Sequence, residues 1–310
     1  MKNDEKYMWR ALQLARNGEG RVSPNPMVGS VIVSGHRIIG EGFHAYYGGP
    51  HAEVNAIGSV SPSDRKLLKD STIYVTLEPC AHHGKTPPCA NLIVETGIPR
   101  VVIGSLDPNP LVAGKGVRIL EDAGVSVECG LLERECQLLN RRFMKAQVSS
   151  IPFITLKWAQ SSDGFMASLD MEGKPCPVKF SSPLSSVWVH RLRGSADAIM
   201  VGGNTQLIDS PRLDNRLWGG NSPKKFVAHH SLPVKDMLQQ MRSEGITSVV
   251  VEGGAALLES LIKEGLYDEI RVETSSHILS TGLRAPSIPD DVILVDSFHC
   301  RGNLIRLFRR

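Results

Sequence analysis

The stretch T-L-E-P-C-A-H-H-G-K-T-P-P-C, Thr76 to Cys89, sets two thiols and two imidazoles among three prolines in a chain with only six cysteines. A metal site, a strained loop and a disulfide would each impose a different fold on it. The cysteines, Cys80, Cys89, Cys129, Cys136, Cys176 and Cys300, are few and unevenly spread over 310 residues, unlike the dense framework of a small secreted domain. That argues against the disulfide. Upstream, His51-Ala52-Glu53 opens a helical run just after Gly48-Gly49-Pro50, and Cys89 opens another just after Pro87-Pro88, where proline suits a first helical turn. The partial positive charge of a helix N-terminus favours thiolate, the form of cysteine that binds metal. One imidazole and two thiolates leave the fourth tetrahedral position of a zinc ion open for water, as catalytic zinc requires and structural zinc does not. His51, Cys80 and Cys89 are therefore expected to hold one Zn2+ per chain, and the fold must bring positions 51, 80 and 89 to one point.

The rest of the chain supplies a framework that can do so. Met27 to Gly42 reads as a hairpin turning at Ser34-Gly35. Strand-like runs at Thr72–Leu77, Val101–Leu106 and Val125–Glu128 alternate with helical candidates at Ala52–Ile57, Ala90–Thr96 and Val117–Ala123, the pattern of an α/β sandwich. A longer helical pattern, Leu131 to Lys145, leads into S-S-I-P at Ser149–Pro152, where the periodicity stops. This predicts two domains, residues 1–148 and 149–310. Beyond the boundary the strand-like runs F-I-T-L-K-W-A, A-I-M-V, S-V-V-V, E-I-R-V and V-I-L-V are separated by helical candidates at Leu184–Arg193, Val234–Arg242 and Ala256–Lys263. The second domain is expected to be α/β as well.

Zinc lowers the pKa of a coordinated water towards ~7, but a proton must still be carried to a leaving group. Glu53, two residues from His51, is the expected carrier. His-x-Glu followed by Pro-Cys and a second Cys, with the Glu as proton shuttle and not as ligand, resembles the arrangement of zinc deaminases. His82 and His83 compete as ligands, but their separation from Cys80 suits a pocket-lining loop better. The other four cysteines are expected to be buried structural thiols. With 35 Lys+Arg against 32 Asp+Glu and 5% aromatic residues, the chain lacks the basic, aromatic-rich face of a nucleic-acid binder. Its charged start and the lack of any run near ~20 apolar residues predict a cytoplasmic protein without a membrane partner.

Four segments carry a closer resemblance: S-P-N-P-M-V-G (Ser23–Gly29), H-A-E, L-E-P-C-A-H-H-G-K-T-P-P-C, and D-P-N-P-L-V-A-G-K-G (Asp107–Gly116). With them the chain resembles the bifunctional deaminase–reductase family of riboflavin biosynthesis. In cytidine and transfer-RNA deaminases the second cysteine usually follows much sooner. The resemblance implies a cytidine-deaminase-like three-layer α/β/α domain that deaminates diaminohydroxyphosphoribosylaminopyrimidine. Asn25 would hydrogen-bond the pyrimidine, while His44, Lys85, Asp107 and Asn109 would line the pocket or hold the ribose phosphate.

It also implies a dihydrofolate-reductase-like second domain, carried by K-W-A-Q-S-S-D-G (Lys157–Gly164), H-R-L-R (His190–Arg193), D-A-I-M-V-G-G-N-T-Q-L-I-D-S-P-R-L (Asp197–Leu213) and V-E-G-G (Val251–Gly254). No G-x-G-x-x-G follows any strand, so the NADPH expectation rests on the resemblance. Ala159, Thr205, Asp209 and the glycine turn at Gly254 would touch the cofactor. Arg193, Leu213, Arg216 and Glu252 would hold the phosphoribosyl substrate, and the chains would form a homo-oligomer. Two departures stand out. Val178–Ser182 reads V-K-F-S-S where the family usually has W-I-T-S, and the Leu217–Thr247 segment is shorter than in relatives. A deaminase whose second domain no longer reduces anything is the competing expectation, and bound NADPH would tell the two apart.

Overall fold

The computed structural model describes residues 3–81, 87–109, 112–229 and 231–310. The chain divides into two compact units between Val148 and Ser149. In the first unit α1 (Asn3–Ala15), the hairpin β1 (Gly29–Ser34) and β2 (Arg37–Phe43), and α2 (Ala52–Gly58) precede β3 (Ser71–Leu77), α3 (Cys89–Thr96), β4 (Arg100–Ser105), α4 (Lys115–Asp122) and β5 (Ser126–Cys129). Two short helices, α5 (Glu133–Leu139) and α6 (Arg141–Val148), close it.

The sheet order is β2-β1-β3-β4-β5. Because β1 is antiparallel to both β2 and β3, and β3, β4 and β5 are parallel, four strands end at the edge where β1 begins. The segments that follow β2, β3 and β4 and the one that precedes β1 therefore meet at one end of the sheet, the place where open α/β sheets bind ligands. Period-2 alternation covers both faces. Ile32, Ile73, Val75, Val101 and Ile103 pack with Ala56, Ala90, Ile93 and Leu120 of α2, α3 and α4, whereas Val31, Tyr74 and Val102 pack with Met8, Ala11 and Leu12 of α1 and Cys136 of α5. The result is the expected three-layer α/β/α arrangement. The sequence reading assigned no helix to the N-terminus, although Met8, Ala11, Leu12 and Ala15, all fully or almost fully buried, have helical spacing.

The helical pattern read from Leu131 to Lys145 is not one helix. It breaks at Asn140, whose buried side chain leaves the helical stripe to bond the backbone of Met27. An Asn side chain that competes for backbone groups is a poor residue for a helix interior.

In the second unit β6 (Phe153–Gln160), β7 (Phe165–Leu169) and β8 (Pro175–Pro177) are followed by α7 (Pro183–Gly194), β9 (Ala198–Gly202), α8 (Gly203–Asp209), β10 (Lys224–Ala228) and α9 (Val234–Ser243). Next come β11 (Ser248–Val251), α10 (Ala255–Lys263), β12 (Glu269–Thr274), β13 (Leu283–Arg284), β14 (Ile293–Cys300) and β15 (Asn303–Arg309). The main sheet runs β10-β9-β11-β6-β12-β15-β14, parallel through β12 and antiparallel in the last two strands. Leu238 and Met241 of α9 and Leu258 and Leu261 of α10 cover one face, against Leu156, Trp158, Met200, Val251 and Val272. A small sheet, β13-β7-β8, stands apart. The short stretch from Leu217 to Thr247 contains β10, paired parallel to β9, and α9. No described helix is long and apolar enough to cross a membrane.

Gly29 shows how closely α1 rides on the sheet: a Cβ built there lies 2.0 Å from the Ala11 carbonyl oxygen, a backbone atom that no rotamer change can move away. Gly29→Val should therefore destabilise the first unit by more than ~2 kcal/mol, at the upper end of overpacking costs. Urea denaturation followed by circular dichroism measures this, and wild-type stability would contradict the packing described.

Candidate active sites

The topology delivers three donor atoms to one point of the first unit. His51 is the N-cap of α2, Cys89 is the first residue of α3, and Cys80 follows Pro79 beyond the end of β3. His51 Nδ1 lies 3.6 Å from Cys80 Sγ and 3.4 Å from Cys89 Sγ, and all three donor atoms fall within 4.8 Å of one another. Around a tetrahedral ion with Zn–N and Zn–S bonds of ~2.0–2.3 Å, donors sit roughly 3.5–3.8 Å apart. The donor set and its spacing fit zinc.

Electrostatics agree with a thiolate here. Cys80 is lowered to about 4, because the Cys89 thiol, the His51 ring and the Cys89 backbone N–H all interact with its sulfur, outweighing burial. The same sharing, with burial, pushes the Cys89 thiol up. Glu53, in the first turn of α2 and 3% exposed, is pushed up to about 7 chiefly by burial. A nearby dication works in the opposite direction, favouring the carboxylate.

The walls of this site come from the same sheet edge. Pro50 O can only accept, so its 2.9 Å contact with His44 Nδ1 places the proton on that nitrogen. In the neutral ring Nε2 is then an acceptor, and the Asn25 side chain donates to it from Nδ2 at 3.1 Å. Burial lowers the pKa of His44 and so favours that neutral ring, which meets His51 edge-on at a centroid distance of 5.5 Å. Asp107 and Asn109 follow β4 in a turn in which Asp107 Oδ1 accepts from Asn109 N at 2.8 Å. Lys85, His82 and His83 lie outside the described residues. Among the remaining cysteines Cys136 and Cys300 are buried, but Cys129 is exposed and Cys176 half-buried, against expectation. Cys129 ends the edge strand β5 and Cys176 lies in β8, at the border of the small sheet, so each strand has a neighbour on one side only.

One residue of this region was missed by sequence reasoning. Glu78, only 6% exposed, accepts four backbone N–H bonds: Asp107 at 3.2 Å and Gly114 at 3.0 Å on Oε2, Gly116 at 2.9 Å and Val117 at 3.4 Å on Oε1. It thereby ties the strand that leads to Cys80 to the loop of Asp107 and Asn109 and to the N-terminus of α4, where a carboxylate is favoured. Gly116 sits so close that a Cβ there would lie 2.0 Å from the Pro79 carbonyl. The only sequence signal was an acidic residue before Pro-Cys and a glycine pair far away.

The second unit holds a cavity of about 710 Å³ that Ala159, Thr205, Asp209, Glu252 and Gly254 all line. Gly254 N–H donates to Thr205 Oγ1 at 3.0 Å, joining the turn before α10 to α8. Burial alone would raise Glu252, but Lys157 and Arg193 hold its carboxyl below the usual range. Arg193 pairs with it through two bonds of 2.8 Å and donates a third to Asp214 O at 3.1 Å. Arg193, Leu213 and Arg216 do not line the cavity itself. Leu213 is buried with φ 50°, a left-handed conformation unusual for a branched side chain, and Arg216 is half exposed and paired with Asp214. Lys179 is exposed and does not line the cavity, although its neighbours Pro177 and Val178 do. The Leu217–Thr247 segment does contribute, with Ala228, His229, Leu232, Pro233, Val234 and Met237.

Comparison with known proteins places both halves. The profile of the cytidine and deoxycytidylate deaminase zinc-binding region matches residues 1–105, and that of the RibD C-terminal domain matches residues 152–236 and 231–292. The riboflavin biosynthesis protein RibD of Aquifex aeolicus is 36% identical over 90% of this chain and 89% of its own length. The diaminohydroxyphosphoribosylamino-pyrimidine deaminase of Buchnera aphidicola is 49% identical over 48% of this chain and 99% of its own. The crystal structure of a diaminohydroxyphosphoribosylaminopyrimidine deaminase/5-amino-6-(5-phosphoribosylamino)uracil reductase from Thermotoga maritima superposes with a TM-score of 0.88 at 34% identity, covering 99% of this chain and 98% of that one.

The four bonds to Glu78 make a direct prediction. Glu78→Gln replaces one accepting oxygen by an amide that faces N–H groups, which costs about 1–3 kcal/mol for a buried unsatisfied donor. Hydrogen exchange should show faster exchange at Gly114 or Gly116. Wild-type protection at both would contradict the anchoring role.

Proposed function

Because the chain belongs to the RibD family of riboflavin biosynthesis proteins, we propose that it is a bifunctional enzyme. Its first unit hydrolyses the ring amine of diaminohydroxyphosphoribosylaminopyrimidine, and its second reduces the ribosyl chain of the deaminated product to a ribityl chain. The observation that carries the first activity is the convergence of His51, Cys80 and Cys89 with a buried carboxylate two residues from the imidazole. Zinc held there supplies a Lewis-acidic centre that makes water nucleophilic near neutral pH. Glu53 takes the proton from the attacking water and delivers it to the departing amine. Asn25, fixed by its bond to His44, keeps its Oδ1 and second amide hydrogen for the pyrimidine, and Asp107 and Asn109, in the turn after β4, are the proposed further contacts to the substrate.

For the second activity NADPH is the proposed hydride donor. The cavity has the size of a small-molecule site. Gly253 and Gly254 let backbone approach a phosphate at the start of α10, and Ala159, Thr205 and Asp209 also line the cavity. The Arg193–Glu252 pair fixes the Glu252 carboxylate at the cavity wall, where it can accept from a substrate hydroxyl. Arg216, outside the cavity lining and paired with Asp214 but half exposed, is the proposed partner of the substrate phosphate.

Glu53→Gln should keep its zinc by metal analysis and lose deamination by a factor on the order of 10²–10⁴, the usual contribution of a general acid–base group. Loss of zinc from a folded variant would make Glu53 a ligand and overturn this assignment.

Calorimetric titration should detect NADPH binding to the wild-type protein, and the aminouracil phosphate should then oxidise it. No binding at millimolar NADPH would leave a deaminase with an inactive partner domain. Arg216→Ala should weaken the aminouracil phosphate while leaving the NADPH titration nearly unchanged, and equal weakening of both ligands would contradict its assignment.

A further inference from the structure

The break between α5 and α6 is puzzling as helix design. Between the two helices the chain places a buried amide, Asn140, 3% exposed. Asn140 Oδ1 accepts from Met27 N at 2.8 Å, and its Nδ2 donates to Met27 O at 2.8 Å, across 113 residues of sequence. The side chain thus pairs with both backbone groups of one residue, a pattern that fixes position and orientation together and that few other side chains can supply.

Met27 is a telling partner. It ends the segment Ser23-Pro24-Asn25-Pro26-Met27, in which two prolines remove backbone donors and no strand ladder holds the chain. Asn25 N–H bonds Val22 O at 2.8 Å on one side. On the other side Asn140 holds Met27, and Val28 O accepts from His44 N at 2.9 Å just before β1 begins at Gly29. Between these anchors sits the Asn25 side chain, bonded to His44 Nε2 at 3.1 Å, and His44 in turn bonds Pro50 O, next to the ligand His51. A loop that carries a recognition side chain outside any strand ladder gains from a second anchor if that side chain is to keep its geometry.

We propose that Asn140 is a positioning residue of the deaminase: by clamping Met27 it sets the Asn25 amide for the pyrimidine ring. The inference rests on the reading that Asn25 binds the substrate. Asn140 touches neither the zinc donors nor Glu53 in this scheme, so its effect belongs to substrate binding and not to the chemical step.

A double-variant cycle on the zinc-loaded full chain tests it, with Asn25→Ala, Asn140→Ala and the double variant compared by steady-state deamination, zinc content and melting temperature. Asn140→Ala should raise KM about tenfold, equivalent to ~1.4 kcal/mol of binding, while kcat changes less than about threefold and one zinc per chain remains. The double variant should have a KM no higher than Asn25→Ala alone, because the clamp acts through that side chain. If the two KM effects multiply, or if Asn140→Ala lowers the melting temperature at unchanged KM, the residue is only a tie between elements and the proposal is overturned. An unchanged KM in Asn25→Ala would overturn the reading of Asn25 and the proposal with it, whereas an Asn25 effect without an Asn140 effect would overturn the proposal alone. Should Asn140→Ala not fold, Asn140→Asp, which keeps the acceptor for Met27 N–H but turns an oxygen against Met27 O, is read by the same cycle.

Discussion

Three side chains from separate segments must place one nitrogen and two sulfurs within reach of a single ion, and much of the first unit follows from that requirement. Strand direction meets it: β2 and β3 run the same way on either side of β1, so the chain leaves both at the same edge and enters α2 and α3 there. Close packing refines it. A Cβ at Gly42 would lie 2.3 Å from Ala56 N, so glycine lets α2 lie directly on β2 and carry His51 to the thiols. The first backbone N–H of α3, that of Cys89, donates to Cys80 Sγ at 3.3 Å and helps favour its thiolate, and the short reach from His51 to Glu53 puts a buried carboxylate beside the donors.

The second unit meets its own requirement differently. Its charged groups are held in pairs and networks beside the cavity. Arg193 and Glu252 are both mostly buried, and breaking such a pair by removing one partner leaves an uncompensated charge. The charge of Lys157 helps hold Glu252 down, and hydrogen bonds from Ser185, Asn303 and Ser181, with Lys157 behind them, hold Glu273 down. The segment from Ser181 to α7 is thereby tied to the sheet beside the cavity. A pocket built this way is formed before any ligand arrives, which reduces the ordering cost of binding.

How much of this could be read from the sequence depended on distance along the chain. The α/β layering was legible, because alternating apolar runs and helical stripes are local patterns. His51, Glu53, Cys80 and Cys89 were legible as a group, since their chemistry is distinctive and each sits beside proline or glycine. Glu78 and Asn140 were not, because their partners are backbone amides and carbonyls 29 to 39 and 113 residues away, which leave no side-chain pattern. The same blindness turned two helices into one at Asn140. Strand β15, N-L-I-R-L-F-R, was overlooked because its apolar residues come in adjacent pairs and do not alternate with polar ones, and β14 extends well past the V-I-L-V run, with five exposed residues in a row at the sheet edge. An edge strand with one covered neighbour gives a weaker hydrophobic signal than a central one.

X-ray absorption at the zinc edge on the purified full-length chain tests the convergence of donors most directly. The account predicts one zinc per chain with one imidazole nitrogen, two sulfurs at ~2.3 Å and one further light donor. A shell of four sulfurs, a shell without sulfur, or fully active protein that contains no zinc would contradict it.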